Sequence, residues 1–303
     1  MPSPQILRWV PLLFVLLWST GFIGAKYALP YAEPFTLLGI RMYITLILFL
    51  GLIHYFKAKW PGPREAAHSM LVGALVHATY LGGVFSAIDA GMSAGLSSLL
   101  VGLQPILTAL IAWGWMGNRI SRKQFLGLSL GILGVATVLL SGQAGQESWT
   151  FSTVSLIFAM LALFGITLGT LYQKRHCGQV DLLTGTFYQF LASALIMTLL
   201  SLLFETGEVD WQPPFIAALM WLVLVLSLGA ILLLMLMIRE GESTKVASYF
   251  YLTPPVTALI AWLLFGEQVT PWGMAGIGLT AYGVYLVIRS PVSAHSKLSA
   301  ERT

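Results

Sequence analysis

Three ionisable side chains, Lys26, Arg41 and His77, lie inside long apolar runs of this 303-residue chain. A charge at membrane depth is costly, so each is a candidate for ligand binding or proton exchange. Arg41 stands six residues into its run, roughly 9 Å deep at the rise of an α-helix. It requires a partner, a polar cavity or a long reach to water. His77 is near the middle of the third run, with Tyr80 one turn further on the same helical face. Its imidazole is the side chain best suited to exchange protons near neutral pH. Lys26 is near the outer end of the first run and can snorkel to the interface instead. Trp18 shares a face with Phe22 and offers an aromatic wall, or simply bulk. No Asp or Glu falls inside any run, which counts against a carboxylate proton relay. Two cations without a buried anion would suit a substrate that carries a carboxylate.

A second group of candidates surrounds two prolines. Ser97, Val101, Gln104 and Thr108 follow one another at steps of four, three and four, the spacing of one helical face. The corresponding face later in the chain is Val246, Phe250, Thr253 and Thr257, with Tyr249 beside it. Gln104 and Thr253 would supply hydrogen bonds and Tyr249 stacking, while Thr108 and Thr257 read as interhelical packing. Pro105 and Pro254 each remove one N–H and free the carbonyl four residues back, at Val101 and Phe250. That predicts a kink serving as a hinge or lining a cavity, or else a bend that only shapes packing.

The elements that must position these residues are membrane helices. Hydrophobic residues make up 57% of the chain and charged residues 9%, against about 25% charged in ordinary globular proteins. About 20 apolar residues cross the hydrocarbon, and ten such windows begin near residues 9, 35, 68, 92, 125, 152, 182, 215, 245 and 272. The first is read as a retained helix, since no short apolar core with a cleavage site is evident. The connectors are too short to fold alone. Fourteen of the sixteen Lys and Arg fall in alternate connectors and the tails, and the intervening connectors hold none. The positive-inside rule therefore predicts both termini in the cytoplasm. The net charge of +4 thus points to membrane orientation, and no nucleic-acid partner is expected. Cys177, the single cysteine, has no assigned role.

The segment "LQPILTALIAW" at 103–113 returns as "LTPPVTALIAW" at 252–262, eight of eleven positions identical at an offset of 149. At that offset Gly127 and Gly134 align with Gly276 and Gly283; earlier in each half the offset is 148, setting Arg41 against Gln189. The expected units are residues 1–146, residues 147–290 and a tail of 291–303. Five spans are an odd number, so the copies enter the membrane from opposite sides. The fold expected is all-α, ten transmembrane helices in two inverted five-helix repeats, the plan of many alternating-access carriers.

Ten spans in this arrangement, "WSTGF" in the first, Arg41 in the second, proline in the fourth and ninth and glycine-rich fifth and tenth helices resemble the drug/metabolite transporter superfamily, EamA branch. The resemblance covers nearly the whole chain. It implies a carrier in the bacterial cytoplasmic (inner) membrane, commonly an exporter of amino acids, nucleosides or other small metabolites. The expected partners are a small-molecule substrate and the lipid bilayer; a monomer is compatible with the sequence, and no cofactor or metal is expected. A receptor or scaffold and a membrane-embedded lipid enzyme are the alternatives. "GMSAG" and "GLSLG" match the G-x-S-x-G nucleophile pattern, but that pattern needs a strand, a strained turn and a carboxylate nearby. Here the serines fall in glycine-rich helices, so no enzyme is expected.

Overall fold

The computed structural model describes residues 4–116, 121–143, 151–230, 233 and 252–289. Within them the membrane-crossing segments are all helical, because hydrocarbon offers the backbone no partner and only helices or closed barrels satisfy it internally. The helices are α1 Pro4–Ala28, α2 Pro34–Phe56 and α3 Pro63–Asp89, then α4 Ala94–Val101 and α5 Gln104–Met116, which share one crossing. They continue as α6 Arg122–Gln143, α7 Thr153–His176, α8 Leu182–Phe204, α9 Pro213–Ala230, α10 Thr253–Phe265 and α11 Pro271–Arg289. Eight crossings are long and apolar enough to span a bilayer within the described residues. The other two are those that contain α10 and α11. This is an all-α integral membrane protein built as two inverted five-helix repeats.

The two halves embrace through α6 and α11, where four glycines bring the backbones together. A Cβ on Gly127 would lie 2.5 Å from the carbonyl oxygen of Gly283, and one on Gly134 would lie 2.6 Å from that of Gly276. In the sequence register Gly127 corresponds to Gly276 and Gly134 to Gly283. The contacts are therefore exchanged, as a two-fold axis between inverted copies demands. Between helices already in lipid the attraction is close packing, which only small residues allow at this distance. Gly165 and Gly169 of α7 do the same against the backbone and side chains of Leu75, Val76 and Thr79 in α3. Their small-residue spacing is thus packing.

The prolines act differently from the expected kink. α4 ends at Val101, a turn at Gly102–Leu103 follows, and Pro105 is the second residue of α5. Pro254 likewise stands in the first turn of α10. First-turn N–H groups have no intrahelical acceptor, so proline costs nothing there. The fourth crossing is broken into two helices, and the ring of Pro254 fills the notch at Gly102, 2.8 Å from where a Cβ would be.

Two further departures from α geometry were not legible in the sequence. α3 widens to a π-helical turn at Ala74–Thr79 and α9 at Trp221–Ala230. In each, a hydroxyl reaches the carbonyl five residues back: Thr79 Oγ1 donates to Ala74 O at 2.9 Å and Ser227 Oγ to Leu222 O at 3.2 Å. His77 and Leu226 are 149 residues apart, the register of the repeat, so the two π turns occupy corresponding places. Such turns are frequent at functional sites.

Candidate functional site

Between the two π turns lies a cavity walled by both halves of the chain. The first half contributes Trp18 and Phe22 from α1, Arg41 from α2, and His77, Tyr80 and Phe85 from α3. The second half contributes Phe190 from α8 and Leu226 and Ser227 from α9. Four of the candidates, Trp18, Arg41, His77 and Tyr80, come together here although 62 residues separate the first from the last.

Arg41 is 5% exposed. Its Nε donates to Ser227 Oγ at 3.2 Å, and that hydroxyl spends its own hydrogen on Leu222 O. Ser227 therefore anchors one edge of the guanidinium. The two Nη groups have no protein acceptor among the described residues, and no Asp or Glu lines the cavity. The walls are otherwise almost entirely apolar, so a full positive charge faces a space of low polarity with nothing of opposite sign among the described residues. An uncompensated charge in such a place is expensive and makes Arg41 a candidate site residue.

His77 stacks on Phe190 with ring centroids 4.5 Å apart, and its Nε2 is 3.2 Å from Gln189 Oε1. With the amide oxygen as acceptor, Nε2 carries the proton. Gln189 is the residue that the repeat sets against Arg41, and it is as deeply buried. The two equivalent positions thus flank one cavity with different chemistry: a cation from the first copy, and a neutral amide holding a histidine from the second. Phe190 and Ser227 were not singled out by sequence. Ser227 had one signal, being the lone hydroxyl in "WLVLVLSLGAILLLMLMI"; Phe190 had none beyond standing next to Gln189.

Other candidates fall elsewhere. Gln104 donates from Nε2 to Thr170 Oγ1 at 3.0 Å, tying α5 to α7, and is not part of this cavity. Thr253 is 5% exposed with no partner for its hydroxyl among the described residues, and its carbonyl accepts weakly from Ser19 Oγ at 3.5 Å. With Pro105 and Pro254, these residues mark the junction of the broken crossing and α10. Tyr249 lies outside the described residues.

Lys26 does not merely snorkel. It forms a salt bridge with Glu267, which is 2% exposed and lies in the connector between α10 and α11. The same carboxylate accepts from the N–H groups of Ala94 and Gly95, 3.2 and 3.4 Å away, at the start of α4. The expectation of no buried anion fails because a connector carboxylate folds inward onto a lysine and a helix N-terminus, both favourable for negative charge. Glu205 caps α2 through the N–H groups of Phe35 and Thr36, each at 2.7 Å. Glu33 accepts from Thr206, whose hydroxyl holds the Glu33 carboxyl below the ordinary carboxylate range. An antiparallel bridge joins Ala32 to Val209. The acidic end of the bundle is thereby tied across both halves.

A cavity shared by two inverted repeats is the arrangement of many membrane carriers. The model of the EamA-like transporter family matches this chain twice, over residues 8–140 and 153–289, and the chain belongs to that family. It is 29% identical to the transporter YvbV of Bacillus subtilis, over 90% of this chain and 88% of that protein. It is 25% identical to a probable amino-acid metabolite efflux pump of Salmonella typhimurium, covering 91% and 92% of the two chains. It is 23% identical to an S-adenosylmethionine/S-adenosylhomocysteine transporter of Chlamydia muridarum, covering 95% and 93%. A solved crystal structure shares the fold with a TM-score of 0.64 at 18% identity, covering 94% of this chain and 96% of that one. The protein is a multi-pass membrane transporter of small metabolites.

Proposed function

We propose that the chain exports a small amphiphilic metabolite across the bacterial inner membrane by alternating access, with the Arg41 cavity as its substrate site and both termini in the cytoplasm. The observation that carries this reading is that the cavity's walls come from both inverted halves. A rocking motion of one half against the other would open such a cavity first to one side and then to the other. The lysine and arginine distribution supports the orientation, and the efflux pump of Salmonella typhimurium supports the direction. Arg41, His77 and Tyr80 would fix the polar part of the solute, and Trp18, Phe85 and Phe190 would hold its body. Gln104, Thr253, Pro105 and Pro254 would serve the motion, as the joint of the broken crossing. Nothing about the site favours a lipid enzyme or a receptor over this reading.

The test is counterflow in liposomes containing the purified chain, with labelled amino acids, nucleosides and organic acids as probes. At least one should show saturable flux. Arg41→Gln should lower that flux by roughly tenfold to a hundredfold, the cost of losing a charge-assisted hydrogen bond. Failure of every probe to show saturable flux, or an Arg41→Gln protein that transports as well as the original, would contradict the reading.

A further inference from the structure

We propose that the cavity selects an organic monocarboxylate with a neutral aromatic or aliphatic body, its carboxylate seated on the Nη edge of Arg41, over a zwitterionic amino acid of the same shape. The proposal rests on the cavity being the substrate site and names the class of solute it takes. It follows from an account of charges. One guanidinium faces the cavity, with Nε fixed by Ser227 and two Nη groups left to donate in parallel, the geometry that matches a carboxylate. One carboxylate neutralises that charge completely, and a second would be left uncompensated.

An ammonium group has no such place. No carboxylate lines the cavity among the described residues, and the buried Glu267 is already engaged by Lys26 and the start of α4. The neutral acceptors are few. They are the Tyr80 hydroxyl and Nδ1 of His77, whose Nε2 is held by Gln189, since the Ser227 oxygen already receives the Arg41 Nε; none carries a negative charge. A solute ammonium would lose its water, gain no anion and sit near a guanidinium. Each of these effects disfavours it. The remaining surface consists of rings and aliphatic side chains, including Trp18, Phe85, Phe190 and Leu226. It rewards an uncharged body of matching shape and nothing else.

Four compounds of one shape separate the charges: 3-phenylpropionate, its amide 3-phenylpropanamide, L-phenylalanine and 2-phenylethylamine. Titrated calorimetrically into the purified full chain, 3-phenylpropionate should bind at least roughly tenfold more tightly than the amide or L-phenylalanine, the worth of one charge-assisted contact. The amine should bind weakest. Arg41→Gln should bring the acid and the amide to equal affinity. L-Phenylalanine or the amine binding as tightly as the acid would overturn the proposal, as would an Arg41→Gln protein that keeps the preference. The order among the four compounds is read on the unaltered chain, so it stands even if the variant does not fold. Counterflow with Leu81→Trp, which fills the cavity, separates the two readings. Flux of some other solute abolished by Leu81→Trp, with the affinity order absent, overturns the solute class and keeps the transport site. The expected order with flux untouched by Leu81→Trp supports the solute class and removes the transport site.

Discussion

At the scale of single residues, what matters is how each buried charge is met. Arg41 and Lys26 look alike in sequence, cations in apolar runs, yet the structure treats them oppositely. Lys26 has its anion in Glu267 and also lies over the Phe265 ring, 4.6 Å from the centroid. Among the described residues Arg41 has only the Ser227 hydroxyl. The first arrangement is structural and predicts an asymmetry. Lys26→Met leaves a carboxylate at 2% exposure without its cation and should cost about 3 kcal/mol, the low end for breaking a buried pair, because two backbone N–H groups remain. Glu267→Gln leaves a lysine that can extend to water and should cost less. Thermal unfolding of the two variants in detergent checks this, and a larger loss for Glu267→Gln would contradict it. The sequence could show that Lys26 and Arg41 were costly but not which was paired. The partner of Lys26 is 241 residues away in a connector, and no local pattern links them.

At the scale of elements, the two crossings rich in glycine and the two with π turns divide the labour. α6 and α11 hold the halves together where Gly127 meets Gly283 and Gly134 meets Gly276. Gly283→Ala would place a methyl group 2.6 Å from the Gly127 carbonyl oxygen and should destabilise the protein by about 1–3 kcal/mol through overpacking. Gly278→Ala, where a Cβ meets nothing within 4 Å, should leave folding intact. Folded yield and melting temperature compared between these two variants decide the point; equal behaviour would contradict the close crossing. The alignment of Gly127 with Gly276 and of Gly134 with Gly283 was legible in the repeat, but not that each would meet the other's counterpart. The π turns were not. They depend on a hydroxyl finding a carbonyl five residues back, and Ser or Thr in a helix more often bonds at three or four, as Thr45 and Thr198 do here. Pro105 was seen but its place was not: a proline in a hydropathy window looks central, whereas in the chain it stands at the start of a new helix after Gly102–Leu103.

For the whole molecule, composition, charge alternation and the repeat were enough to read the membrane class and the inverted plan. Both follow from bulk solvation and from counting. The cavity was legible only in part. Trp18, Arg41, His77 and Tyr80 were visible because polar or aromatic groups at depth are conspicuous, while Gln104 and Thr253 were equally conspicuous and lie elsewhere. Helical periodicity tells which residues share a face, not which face looks into a cavity. The central claim is that this cavity opens to both sides of the membrane in turn. It can be tested without knowing the solute, because Cys177 is the sole cysteine and can be removed as Cys177→Ser. In that background Leu81→Cys places one thiol on the cavity wall, and a membrane-impermeant thiol reagent is applied to right-side-out and to inverted vesicles. Alternating access predicts labelling from both sides, with Ala159→Cys, at a wholly buried position away from the cavity, unlabelled from either. Labelling of the Leu81→Cys thiol from one side only would contradict it.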